Sequence, residues 1–247
     1  MLNYIILGII QGLTEFLPIS SSGHLYLFKN FWGVSEDFLS FVVFLHLATL
    51  LAIVVYFFKK LKEGLFNFRL LSYISITTII SGIIAIFLKK YIEILSNYRY
   101  FIALCFFINS LVLLSVKSKS NNKELKYFGL KDTLMLGLLQ GLAVLPGISR
   151  AGITIVGLLK RGFVEREAFN LSFIMAIPII IGAFIGESKY ILFDKTISVN
   201  MLVSFIVAFF SGILALMLLK RTVIKLKFKL FGYYCLILSI LSILVRG

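Results

Sequence analysis

The chain has 247 residues, of which 60% are hydrophobic and 15% charged, with a mean hydropathy of +1.02. Soluble domains of ordinary composition charge about a quarter of their residues, so that class is excluded and a polytopic membrane protein is expected. The formal net charge of +14 does not mark a nucleic-acid binder, because the basic residues lie between apolar runs rather than on one soluble face.

Along the chain, no basic residue precedes Lys29, and Glu15 interrupts the apolar part. That is the wrong charge order for a cleavable signal peptide, and the segment is expected to belong to the mature fold. Residues 3–17 form an apolar helix of about 22 Å at 1.5 Å per residue, too short for a hydrocarbon core of about 30 Å. The helix stops at Pro18 and a second short helix follows at about 20–30, so this unit is read as a re-entrant hairpin. Three runs long enough to span follow at 38–58, 70–88 and 98–116. After a polar loop at 117–131 the plan begins again. A short helix at 132–145 breaks at Pro146, a second runs over 151–161, and spans are predicted at 167–187, 199–219 and 229–246. Cys105 and Cys235 fall inside spans without CxxC spacing and read as small buried hydrophobes.

The two halves repeat each other. Gly8, Gln11, Gly12, Leu13, Leu17, Pro18, Ser20 and Gly23 reappear as Gly137, Gln140, Gly141, Leu142, Leu145, Pro146, Ser149 and Gly152. One hairpin plus three spans makes an odd number of crossings, so the second copy enters from the opposite side. The fold class expected is therefore all-α: a single membrane domain over 1–247 with inverted repeats at about 1–116 and 132–247, six transmembrane helices and two re-entrant hairpins. Broken, short segments at matching positions point to a site near the membrane midplane where the tips meet. The loops 59–69, 117–131, 160–166 and 220–229 hold 17 of the 25 Lys and Arg. The positive-inside rule puts that side in the cytoplasm and both termini outside.

The tips carry the ionisable groups that apolar sequence does not otherwise tolerate. Gln11 and Glu15 stand one helical turn apart, and an acid inside a membrane is rarely kept without a partner or a task. Ser20, Ser21, Ser22 and Gly23 open a helix, offering hydroxyls and N–H groups to an anion; serines also cap helices, which is the plain alternative. His24 follows as a candidate acid, base or nucleophile. The second tip runs from Pro146 to Thr154; there Ser149 matches Ser20 and Arg150 stands at the position of Ser21, while Val144 and Ile153 replace Glu15 and His24. A guanidinium grips phosphate bidentately, so the two tips together point to phosphoryl chemistry. His46, in the span 38–58, has two readings, a residue supporting the site from behind and, the one expected, a buried histidine satisfied by a neighbouring helix.

These tips closely resemble the signatures of the bacterial undecaprenyl-diphosphatase family, membrane enzymes associated with bacitracin resistance. The family's glutamate-or-glutamine, three residues, glutamate pattern stands here as Gln11 and Glu15. Its serine-rich stretch is Pro18 through His24, and its Pro-Gly-x-Ser-Arg stretch is Pro146 through Thr154. The resemblance implies hydrolysis of the terminal phosphate of a C55 polyprenyl diphosphate, in a bacterial cell membrane, at a site open to the outer face and dependent on a divalent cation, Mg²⁺ or Ca²⁺. It implies that Glu15 holds the metal or moves a proton, that Ser21 or His24 attacks phosphorus or activates water, and that Arg150 binds phosphate. Gln11, Ser20, Ser22, Gly23, Ser149 and Thr154 become supporting substrate contacts. Membrane lipids are the other partners, and homodimerisation is left open. Gln11 leaves one carboxylate fewer for metal, and Ala151 removes the family's usual serine after the arginine. The rival expectation from another class is a polyprenyl-phosphate flippase or secondary transporter, since inverted repeats with broken helices serve transport too.

Overall fold

A computed structural model describes residues 1–32, 38–62, 68–96, 98–117, 122–187 and 198–244. The described chain is helical throughout, with no strand beyond a single parallel bridge pair, Lys123 with Phe163. In order the helices are α1 (Leu2–Phe16), α2 (Ser21–Trp32), α3 (Phe38–Lys62), α4 (Phe68–Leu95), α5 (Arg99–Leu114), α6 (Leu130–Leu142), α7 (Arg150–Lys160), α8 (Glu165–Glu187), α9 (Val199–Ile224) and α10 (Lys229–Leu244). A 3-10 turn at Leu125–Tyr127 precedes α6.

Four of these, α3, α4, α8 and α9, are long and apolar enough to cross a membrane. The other two expected spans, α5 and α10, are apolar but have 16 residues each, about 24 Å at 1.5 Å per residue. Helix α5 ends at Leu114, short of the predicted 116, with Ser115 as its cap. The predicted end of the last span at 246 lies outside the described residues, as do 63–67, 118–121 and 188–197 of the loops and the side chain of Lys29. Lys89 and Lys90 were expected beyond a span but lie within α4. Lysine is a good helix former whose stem packs along apolar surface while its ammonium stays in water.

Packing crosses between the halves of the chain. Helix α1 of the first half lies against α9 of the second, α6 of the second against α4 of the first, while α5 packs on α10 and α3 on α8. Exchanging the halves leaves this pattern unchanged. The contacts match in detail. Ser204 and Ser211 of α9 donate hydroxyls to the Tyr4 and Gly8 carbonyls of α1, at 2.8 and 3.4 Å. Thr77 and Ser81 of α4 donate to the Thr133 and Gly137 carbonyls of α6, at 3.4 and 3.2 Å. Small residues let apolar helices approach this closely. A Cβ on Gly8 would lie 2.6 Å from the Ser204 carbonyl oxygen, and one on Gly137 would lie 2.8 Å from Ile80 Cβ. This is why glycine recurs at the same positions of both repeats.

The core is aromatic and central. Phe16, Phe57, Phe169 and Phe173 are essentially fully buried, with Phe173 meeting the other three rings at centroid distances of 5.0 to 6.2 Å. The outer faces of α4, α9 and α10 instead expose large apolar side chains such as Ile83, Phe87, Phe210 and Ile240. Extensive apolar exposure of this kind suits lipid rather than water.

Candidate active site

Each tip follows from its proline. Leu17, the residue before Pro18, is forced extended at φ −64°, ψ 146°, which ends α1. The chain then turns through Ser20, held in the left-handed region at φ 68°. Ser20 caps α2 by accepting the Gly23 N–H at 3.3 Å, and Ser149 caps α7 by accepting the Gly152 N–H at 3.1 Å. The capping alternative therefore holds for Ser20, and Ser149 caps its helix in the same way.

The tips touch. Ser20 Oγ also accepts the Gly147 N–H of the second tip at 3.0 Å. A Cβ on Gly23 would lie 3.0 Å from Gly147 Cα, and Gly147 adopts φ +110°, where a side chain is strained. Across this seam Arg150 donates through Nη2 to Glu15 Oε1 at 3.0 Å. Glu15 Oε2 accepts from Ser21 Oγ at 2.6 Å and from Gln11 Nε2 at 3.2 Å. One carboxylate thus gathers a guanidinium, a hydroxyl and an amide. Phe173 lies 5.8 Å below the guanidinium and supports it as a cation–π partner.

These groups border a cavity of about 210 Å³, with Glu15, Ser21, Ser22, His46, Ser149 and Arg150 on its polar wall and Ala143, Val144 and Ile148 on its apolar one. Two buried polar atoms beside it lack hydrogen-bond partners, Arg150 Nη1 and Gln11 Oε1. A buried cationic N–H with nothing to donate to is costly, and an anion bound there would satisfy it.

Not every predicted residue reaches the cavity. His24 faces away: its Nδ1–H donates to the Ser20 carbonyl at 2.7 Å, leaving Nε2 to accept from the Tyr234 hydroxyl at 2.8 Å, with the two rings stacked. The reason is that hydrogen bonds at both ring nitrogens and stacking on Tyr234 hold the imidazole toward α10. Thr154 is fully buried, donating to the Arg150 carbonyl at 2.7 Å and pairing with Ser172, and Gly23 serves the seam. His46, expected to be a structural histidine, instead lines the cavity. Its Nδ1–H is held by the Val42 carbonyl at 2.8 Å while Nε2 stands 3.5 Å from Glu15 Oε2. An ionisable side chain in an otherwise apolar span was the available signal. Asn109, from α5, contacts both tips and carries no motif.

The model for the family described as bacitracin resistance protein BacA matches residues 4–241. The chain belongs to that family. Among its relatives are proteins named undecaprenyl-diphosphatase from Thermosipho africanus, 42% identical over 99% of this chain and all of that protein, and from Thermosipho melanesiensis, 42% identical over 98% of each. Another of the same name, from Methanococcus vannielii, is 38% identical over 97% of this chain and 98% of its own. The bacitracin-resistance match spans both repeats, so it covers both tips and every residue of the cavity wall.

Proposed function

We propose that this chain is an integral-membrane phosphatase that removes the terminal phosphate of undecaprenyl diphosphate and so regenerates the monophosphate carrier of cell-wall precursors. The observation that carries the reading is the Glu15–Ser21–Arg150 constellation: a hydroxyl already hydrogen-bonded to a carboxylate, beside a guanidinium with one nitrogen free for phosphate. A polyprenyl-phosphate flippase needs no such nucleophile, and family membership favours hydrolysis.

In this reading the terminal phosphoryl group lies against Arg150 Nη1 and the Ser22 and Ser149 side of the cavity. Ser21 Oγ gives its proton to Glu15 and attacks phosphorus in line, expelling the polyprenyl monophosphate; water then releases inorganic phosphate. Arg150 offsets the charge on the transferring oxygens, which is most of the catalytic task in phosphoryl transfer. His46 holds Glu15 from the side opposite Arg150, and His24 holds the Ser20 turn. Gln11 orients Glu15, while Thr154 fixes the first turn of α7. The cavity is smaller than the roughly 300–1,000 Å³ of common ligand pockets, which suits a headgroup whose prenyl tail stays in lipid.

The donor set also fits a hard divalent cation, Mg²⁺ or Ca²⁺. Gln11 Oε1 is buried without a partner next to Glu15, and Ser21 and Ser22 add oxygens. No group of three His, Cys, Asp or Glu occurs among the described residues, so substrate oxygens would complete the coordination. Bound there, the cation would neutralise phosphate charge.

For topology we adopt six spans with α1–α2 and α6–α7 as re-entrant hairpins in a single domain of inverted repeats, both termini outside and the cavity open to the outer face. The 15 and 13 residues of α1 and α6, their exchanged packing and the loop charges support this. The test of function is direct: purified protein given farnesyl diphosphate and Mg²⁺ should release inorganic phosphate, and binding without release would return the transport reading.

A further inference from the structure

Asn109 is fully buried on α5 and lies outside every motif of the two tips. Its Nδ2 donates to the Pro18 carbonyl of the first tip at 3.0 Å and to Cys235 Sγ of α10 at 3.2 Å. Its Oδ1 accepts the Ser149 N–H of the second tip at 3.0 Å. The partners fix which end is which, since a carbonyl can only accept and an N–H can only donate. A single planar amide therefore bridges the proline that ends α1 and the residue that caps α7. Arg150 follows Ser149 directly, and Glu15 lies three residues before Pro18.

We infer that Asn109 is a positioning residue that sets the registration of Arg150 against Glu15 and Ser21 across the seam between the repeats. The inference rests on the phosphatase reading for its activity readout, and it adds a residue of α5 to a site otherwise built from α1, α2, α3 and α7. Its physical basis is the rigidity of the amide. The two tips belong to opposite halves of the chain, and besides the Arg150–Glu15 pair they are joined directly only by the Ser20–Gly147 hydrogen bond and a longer one from Ser149 Oγ to the Leu17 carbonyl at 3.5 Å, among the described residues. The Asn109 bridge, at Pro18 two residues before Ser20 and at Ser149 two residues after Gly147, fixes the tips through a buried side chain of α5. Errors of about 1 Å in such placement can cost on the order of 100-fold in rate.

The choice of variants separates placement from folding. Asn109→Asp keeps the shape and still accepts the Ser149 N–H, but turns a carboxylate oxygen toward the Pro18 carbonyl. Asn109→Ala removes both bridges. Each is made in the full chain, purified in detergent, and assayed for phosphate release from farnesyl diphosphate, alone and combined with Arg150→Lys, whose ammonium lacks the fork that needs registration. The expected result is a loss of about 30- to 100-fold in kcat/KM for either variant in the native background, but under about 3-fold in the Arg150→Lys background. Equal losses in both backgrounds would overturn the proposal, as would no loss in either, or failure of both variants to give a monodisperse protein. If the native protein binds farnesyl diphosphate without cleaving it, the phosphatase reading alone fails. The same cycle is then read as the dissociation constant for farnesyl diphosphate, with the same non-additivity expected and simple additivity overturning the inference.

Discussion

At the residue scale, the site is organised by one buried acid. Glu15 accepts hydrogen bonds from Gln11, Ser21 and Arg150, and His46 stands 3.5 Å away. This division separates the two histidines. His46→Ala should lower turnover of farnesyl diphosphate by about 100-fold, whereas His24→Ala, which acts only through the Ser20 carbonyl, should cost about 10-fold or less. Rates measured on both purified variants decide this, and the reverse order would contradict the assignment. Most of the cavity wall was legible in the sequence, because Glu15, the serines and Arg150 sit in short polar interruptions of apolar helices. Asn109 was not, and for His46 the supporting role was the less favoured of two readings. Each looks ordinary within its own helix and acquires its partners only when α3 and α5 pack beside the tips.

At the element scale, the second hairpin is closed at its loop end by a buried acid of its own. Asp132 accepts from Lys123 Nζ at 2.9 Å, Arg161 Nε at 2.7 Å and the Gly129 N–H at 3.2 Å, tying the start of α6 to the end of α7. Burial pushes its carboxyl up, but the hydrogen bonds from Lys123 and Arg161 outweigh this and hold it below the ordinary aspartate value. A lowered folded-state value means that the stabilisation is fully present above the usual carboxylate range, near pH 4, and is lost as pH falls through the lowered value. Asp132→Asn should therefore melt several degrees lower at pH 7 in detergent and lose less than the native protein on acidification from pH 5 to 3. Parallel melting curves for the two proteins would contradict this. At the matching position of the first hairpin stands Asn3.

At the scale of the whole molecule, the two halves are built as exchanged copies, with the short helices α1 and α6 each held by hydroxyls and close packing from the other half. The repeat was visible as eight matched residues, and so were the short helices and their breaks. The partnering of α1 with α9 and α6 with α4 was not, because packing between apolar helices is decided by shape at small residues rather than by hydropathy. The consequence of exchange is that the site exists only where the halves meet: the acid and hydroxyl come from one, the guanidinium from the other.

Arg150→Ala tests that dependence most directly. Phosphate release from farnesyl diphosphate by a variant that remains monodisperse should fall by about two to four orders of magnitude, in line with loss of a preorganised charge at the reacting phosphoryl group. Release at near the native rate would contradict the joint site and the chemistry assigned to it.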